Sequence, residues 1–195
     1  YAVLVGINQY ALPGYNLYGC LNDVRQVYRV IRTYYGFKRE NIRVLTDQRA
    51  TAQAEISQLL WLSRIAQAGD EVFWYHSGHG SQIVDKNGDE LKDKMDEVLI
   101  PHDINNRWST VIVDDDIHEI FRKFKRGVNI TCVVDTCHSG TLSREFKKFP
   151  VNDELTRHPE DYVSRYLPPP FDIQARWFNE NAEPDTSVIP IKRFG

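Results

Sequence analysis

The sequence predicts an α/β fold, a three-layer sandwich in which helices cover both faces of a mostly parallel central sheet. Short apolar runs alternate with segments whose apolar residues recur at helical spacing, which is the pattern of repeated β-α units. Two of these runs, residues 71–74 and 130–134, are closely followed by His79 and Cys137. Because ligands bind beyond the carboxyl ends of parallel strands, we expect both side chains at one edge of the sheet.

The first β-α unit occupies the start of the chain. Residues 2–7 are apolar and predict a short buried strand. A helix follows, with Asn22 or Asp23 as its N-cap and Gly36 as its stop. Its expected buried face comprises Val24, Val27, Tyr28, Ile31, Tyr34 and Tyr35.

The following units are predicted in the same way. Residues 42–45 form the second strand, Thr51 caps the next helix, and residues 71–75 form the third strand. After a polar loop, the remaining predicted elements are a short strand at 98–100, a helix from Asp114-Asp115-Asp116 to Gly127, and a strand at 128–134.

The character of the chain changes after residue 142. The segment 143–190 is polar, contains Pro168-Pro169-Pro170 and shows little periodicity. We therefore predict one folded domain over residues 1–142 and an exposed, partly disordered connector over residues 143–195.

Composition, charge and the first residue indicate which partners, which cell compartment and what processing to expect. The 195 residues are 42% hydrophobic and 26% charged with a net charge of −3, which gives no indication of a nucleic-acid or membrane partner. Three cysteines are too few for a disulfide scaffold, so we expect a reducing, cytoplasmic setting. The chain begins at Tyr1 rather than Met, which indicates a processed or trimmed chain.

The residues at the predicted sheet edge suit nucleophilic catalysis. A cysteine thiol becomes a good nucleophile at neutral pH only beside a base or with a lowered pKa. His79 supplies such a base if it meets Cys137 in space. Cys132, by contrast, is expected to be a buried small apolar side chain.

Four ordered motifs resemble the metacaspases and their prokaryotic relatives, the orthocaspases, which are caspase-like cysteine proteases. They are Gly19-Cys20-Leu21-Asn22-Asp23, Tyr75-His76-Ser77-Gly78-His79-Gly80, Met95-Asp96-Glu97-Val98-Leu99-Ile100-Pro101 and Asp135-Thr136-Cys137-His138-Ser139-Gly140. The resemblance covers the large-subunit region and implies a caspase-like fold. The pentapeptide typical of true caspases is absent around Cys137, so a preference for aspartate is not expected.

The resemblance implies a role for each matching residue. His79 and Cys137 would be the catalytic dyad, and the backbone N–H groups of Gly80 and Cys137 would form the oxyanion hole. The first substrate pocket matches Cys20, Asp23, Ser77 and Asp135. Two carboxylates in that pocket imply cleavage after Arg or Lys, with Arg favoured by its bidentate geometry.

The resemblance also implies partners and a metal. The chemistry itself requires no cofactor, but many metacaspases use calcium as an activator, and the matching ligands are Asp96, Asp114 and Asp115. The alternative is that Asp114, Asp115 and Asp116 serve only as the cap of a helix. Nothing in the chain matches the family's small subunit, which we expect as a second chain from self-cleavage or a part outside this sequence. Candidate cleavage sites are Lys147-Lys148 and Lys192-Arg193.

Three alternatives remain open on the sequence. A caspase-like module without activity could serve only for binding. A tyrosine-phosphatase-like site needs Arg six residues after its cysteine, where this chain has Ser143 and places Arg144 one position late. A zinc site would use His76, His79, Cys137 and His138, whose spacing matches no common zinc pattern.

Overall fold

The computed structural model describes residues 1–84 and 95–136. Within these ranges a parallel sheet has the strand order β2-β1-β3-β7, and a smaller antiparallel sheet has the order β4-β5-β6. The strands are β1 Ala2–Gly6, β2 Ile42–Thr46, β3 Glu71–Ser77, β4 Gly80–Val84, β5 Met95–Leu99, β6 Ile112–Val113 and β7 Asn129–Asp135. The helices are α1 Cys20–Tyr34, α2 Ala52–Ile65 and α3 Asp114–Phe121, with short 3-10 turns at Arg39–Asn41 and Asp47–Arg49.

The strands of the parallel sheet that precede the predicted site residues end at the same edge. Its registers align Gly6 of β1 with Ser77 of β3, and Ser77 with Asp135 of β7. The three strands therefore end side by side, and the segments that follow Ser77 and Asp135 leave the sheet at the same edge. This arrangement confirms the predicted α/β fold class with a parallel central sheet.

The helices cover both faces of that sheet, as predicted. On one face, Val24 and Ile31 of α1 pack with Leu4 and Tyr75 of the sheet. On the other face, the apolar residues of α2 and α3 join those of β1 and β3 in the larger core cluster, whose members include Val3, Val5, Ile56, Leu59, Trp74, Ile117 and Ile120. Alternation along each strand sends successive side chains to opposite faces, which explains the two clusters.

The antiparallel sheet differs from the predicted polar loop. We expected one short strand at 98–100, whereas β5 begins at Met95 and pairs with β4 on one side and β6 on the other. The sequence of β4 starts Gly80-Ser81-Gln82 and lacks an apolar run, so no strand signal is present there.

Three details of the helices also differ from prediction. Helix α1 begins at Cys20 after Gly19, so neither Asn22 nor Asp23 is its N-cap. Tyr34 and Tyr35 were expected in the core, but 78% and 70% of their surfaces are exposed. Helix α3 ends at Phe121, earlier than the predicted stop at Gly127, and is followed by turns.

Candidate active site

His79 lies in the short turn between β3 and β4, and it is buried. Its Nε2 is 2.8 Å from the backbone carbonyl oxygen of Tyr15. A carbonyl oxygen only accepts hydrogen bonds, so Nε2 must carry the hydrogen. In the neutral imidazole the lone pair then resides on Nδ1, which is the nitrogen that can act as a base.

The backbone of His79 is held as firmly as its ring. Its N–H donates to the hydroxyl oxygen of Tyr10 at 2.8 Å, and its carbonyl oxygen accepts from the N–H of Ile100 at 3.1 Å. The rings of Tyr10 and His79 are in tilted contact, with centroids 4.9 Å apart. Both faces of the turn are therefore tied to neighbouring segments of the chain.

The segment that supplies Tyr10 and Tyr15 is itself fastened to the rim of the sheet. The Asp47 carboxylate accepts from the backbone N–H groups of Asn8 and Gln9 at 2.8 and 2.9 Å. The Asn8 side chain accepts from the N–H of Cys20, the first residue of α1. These bonds hold both ends of the segment 8–19, so that its middle is fixed against His79.

Cys137 lies outside the described residues, but the chain that leads to it is described. Thr136 packs against Gly80, the residue after His79: a Cβ placed on Gly80 would lie 2.8 Å from the Thr136 hydroxyl oxygen. Any larger residue at position 80 would therefore collide with this segment. The chain neighbours of His79 and Cys137 are thus in contact, while the dyad and its oxyanion hole remain predictions.

Three of the predicted pocket residues lie together at this edge. The Ser77 hydroxyl donates to the Asp23 carboxylate at 3.3 Å, and Asp135 is the register partner of Ser77 on the adjacent strand. The fourth, Cys20, is fully buried one turn before Asp23 on α1. Asp23 is half-buried and Asp135 is exposed, so one carboxylate lines the edge and the other faces solvent.

The predicted calcium ligands belong to a buried acidic group beside α3. Asp96, Glu97 and Asp114 are each buried. Loss of hydration, followed by the negative charges of Glu97 and Asp96, raises the pKa of Asp114 to about 7. A helix N-terminus favours a carboxylate, so these two effects outweigh the helix dipole here.

A complete metal site is not assembled by these residues alone. Across residues 1–84 and 95–136, no three His, Cys, Asp or Glu side chains are grouped closely enough to hold a metal ion. The oxygen donors at Asp96 and Asp114 nevertheless match the chemistry of calcium, and the acidic segment 85–94 lies outside the described residues. The calcium ligands therefore remain a prediction.

Sequence reasoning did not identify Tyr10, Tyr15 or Glu55 as parts of this region. Glu55 of α2 is buried and its Oε1 is 2.8 Å from Nδ1 of His76, which also is buried. His76 is thus a hydrogen-bonding residue of the core side of the sheet, as expected, and not a member of a zinc site with His79. Tyr15 acts through its backbone carbonyl, which no side-chain motif can signal.

A parallel α/β sheet with a buried imidazole at one edge, beside a segment that leads to a cysteine, defines the class of caspase-like cysteine peptidases. The chain belongs to the metacaspase family within that class. The family model described as metacaspase, peptidase C14 domain matches residues 1–144. The resemblance seen in the four motifs is therefore confirmed.

Curated relatives agree with this assignment. The chain is 37% identical over 147 residues to Metacaspase-1A of Aspergillus fumigatus, covering 72% of this chain and 35% of that protein. It is 40% identical over 150 residues to Metacaspase-1 of Pyricularia oryzae, covering 72% and 36%. The chain thus spans about a third of the length of the curated relatives it matches.

A solved structure shares the fold. A crystal structure of a Geobacter sulfurreducens protein matches with a TM-score of 0.57 and 27% sequence identity, covering 72% of this chain and 51% of that one. Within the described residues, no helix is long and apolar enough to cross a membrane.

Proposed function

We propose that this chain is the catalytic part of a cysteine endopeptidase that cleaves after Arg or Lys through His79 and Cys137. The observation that carries the proposal is the fixed imidazole of His79, with Nε2 bound to a carbonyl and Nδ1 left as the basic nitrogen, beside the strand that ends next to Cys137. Family membership supports the peptidase class. The thiolate of Cys137 requires a reducing setting, which supports a cytoplasmic location.

In the proposed reaction His79 acts first as a base and then as an acid. His79 takes the thiol proton of Cys137, and the sulfur bonds to the carbonyl carbon of the scissile peptide while N–H groups of Gly80 and Cys137 hold the oxyanion. The C–N bond then breaks as His79 gives its proton to the leaving amine. Water attacks the resulting thioester, breaks the C–S bond and returns the thiol.

The preference for basic residues is supported by charge at the sheet edge. Asp23 and Asp135 flank Ser77 on adjacent elements, and a guanidinium forms two parallel hydrogen bonds with a carboxylate. Lys offers only a point charge, so Arg is the preferred residue before the scissile bond. Candidate self-cleavage after Lys148 or Arg193 follows from the same preference.

A small subunit could pack on the face of the parallel sheet that α1 covers. β7 pairs only with β3 among the described strands, so its outer edge is available for another strand. Next to that edge lies an apolar groove of about 530 Å³, lined by Val30, Tyr35, Phe37, Phe73 and Val133 among others. Because the relatives are about three times as long as the matched region, we assign this groove to the small subunit.

Calcium would be an activator held by Asp96, Asp114 and Asp115, and it takes no part in the bond-breaking steps. A divalent cation would offset the repulsion that raises the pKa of Asp114. The competing proposal, an inactive binding module, predicts the same fold with no turnover.

Fluorogenic peptides ending in Arg, Lys or Asp distinguish these proposals. Assayed with calcium and with chelator, the intact protein should cleave the Arg peptide fastest, the Lys peptide more slowly and the Asp peptide at background. Cys137→Ala and His79→Ala should each abolish cleavage while circular dichroism stays unchanged. Equal cleavage by His79→Ala and wild type would contradict the dyad, and absence of turnover under all conditions would favour the binding module.

A further inference from the structure

Tyr10 contacts His79 in two independent ways. Its hydroxyl oxygen accepts the backbone N–H of His79 at 2.8 Å, and its ring packs against the imidazole at 4.9 Å between centroids. The two residues are 69 positions apart in sequence, and both are buried. A tyrosine that binds both the backbone and the ring of a histidine fixes where the imidazole sits as well as how it is tilted.

Tyr10 is itself held by its neighbours. Its N–H donates to the Asn16 side chain at 3.0 Å, and the next N–H, that of Ala11, donates to the carbonyl of His102 at 2.8 Å. The bond to Asn16 fixes Tyr10 within its own segment, and the bond to His102 ties that segment to another part of the chain. These bonds keep Tyr10 in one position against His79.

The turn that carries His79 is enclosed on its other side by His76. A Cβ on Gly78 would lie 3.0 Å from the Tyr10 hydroxyl oxygen and 3.0 Å from Nε2 of His76. Nδ1 of His76 is bound to Glu55, so that ring is also fixed. Gly78 thus lies between a phenol and an imidazole, and an added Cβ would require one of these side chains to move by a few tenths of an ångström.

We propose that Tyr10 is a positioning residue for the catalytic histidine. Tyr10 holds the Gly78–His79 turn against the Glu55–His76 pair, while the carbonyl of Tyr15 fixes Nε2 of His79. The imidazole therefore cannot rotate, and its Nδ1 keeps one position. The inference rests on the proposed function of His79 as the base. Small errors in the placement of a catalytic group are costly, since about 1 Å of displacement can reduce the rate about 100-fold.

Tyr10→Phe tests this role because it keeps the ring contact and removes the acceptor for the His79 N–H. We expect kcat on an Arg peptide to fall tenfold or more with KM changed by less than about twofold, the signature of an interaction used in the transition state. Tyr34→Phe is the matched control, because it is the same substitution at a side chain that is 78% exposed at the end of α1. It should keep the wild-type kcat.

A second measurement does not depend on peptide turnover. The rate of Cys137 alkylation by iodoacetamide against pH reports how readily the thiolate forms. In wild type this profile should differ from that of His79→Ala, and Tyr10→Phe should move it toward His79→Ala. If wild type and His79→Ala are identical, the proposed dyad fails. If those two differ while Tyr10→Phe matches wild type in both kcat and profile, the positioning role is overturned.

Gly78→Ala, alone and together with Tyr10→Phe, provides a further test of this contact. The φ angle of Gly78 is outside the left-handed region, so only space opposes an alanine. We expect Gly78→Ala to lower kcat, and the double variant with Tyr10→Phe to lose less than the product of the single losses, because both act through the same contact. Losses that multiply would overturn the inference.

Discussion

At the scale of single residues, catalysis depends on a few side chains whose chemistry is set by their hydrogen bonds. The proton on Nε2 of His79 is fixed by the Tyr15 carbonyl, so in the proposed dyad the base is Nδ1. The place of Ser77, His79 and Asp135 at one sheet edge could be predicted from the sequence, since each lies at or just after the end of an apolar strand. The partners of His79 could not, because Tyr10 and Tyr15 are ordinary tyrosines brought close only by the folded segment 8–19.

Asp23 is expected to determine the preference for basic substrates. Asp23→Asn keeps the hydrogen bond with Ser77 but removes the charge, and a charge-assisted hydrogen bond contributes about 1.5–3 kcal/mol. We predict that kcat/KM for an Arg peptide falls roughly 10- to 100-fold. Alkylation of Cys137 by neutral iodoacetamide should be unchanged, which separates a pocket defect from a damaged dyad. An Asp23→Asn variant with wild-type kcat/KM would contradict the pocket assignment.

The Glu55–His76 pair should couple strongly in stability. Both side chains are buried and 2.8 Å apart, and leaving a buried hydrogen-bonding group without its partner costs about 1–3 kcal/mol, more for a charged group. We predict that Glu55→Leu and His76→Leu each lower the free energy of unfolding by roughly that amount. The double variant should lose clearly less than the sum, as measured by urea denaturation. Additive losses would show that the pair is not coupled.

At the scale of secondary-structure elements, apolar runs identified the parallel strands and failed for the antiparallel ones. β1 and β3 are mostly buried, and β1, β3 and β7 each contain a continuous apolar segment, although β7 at the sheet edge is only partly buried. β4 begins with glycine and polar residues, and β6 has two residues, so neither carries a periodic signal. Helical periodicity placed Tyr35 in the core, whereas in the structure it lines the apolar groove.

The first turn of α3 should make stability depend on pH. Burial and the charges of Glu97 and Asp96 raise the pKa of Asp114 to about 7, well above the 3.8 of an unperturbed carboxyl. Between those values the folded state binds more protons than the unfolded chain, so stability decreases as pH rises from about 4 to 7. With chelator present, we predict that Asp114→Asn reduces this decrease, as measured by the free energy of unfolding at several pH values. A parallel pH dependence in both proteins would contradict the assigned pKa.

At the scale of the whole molecule, the described sheet has an unpaired edge and an adjoining apolar groove. An exposed strand edge next to apolar surface is a site for further pairing. The sequence indicates no place where the expected small subunit would pack, and the proposal that it packs here rests on the folded sheet.

Val30 offers a way to test that assignment, because it lines the groove and is 43% exposed. Val30→Arg would place a charge on the apolar surface, and we predict that it weakens association of the large and small chains in native mass spectrometry of the processed protein. Gln53→Arg, on the exposed face of α2, is the control and should leave association intact. Equal association in both variants would remove the groove as the docking site.

The central claim is that His79 activates Cys137 next to a pocket for a positive charge. The most direct test is labelling of the intact protein with a peptide chloromethyl ketone that ends in Arg, followed by mass spectrometry of the digested product. We predict a single adduct on Cys137, formed much faster than with the matching Asp reagent and suppressed in His79→Ala. An adduct on another cysteine, or equal rates with the Arg and Asp reagents, would contradict this account.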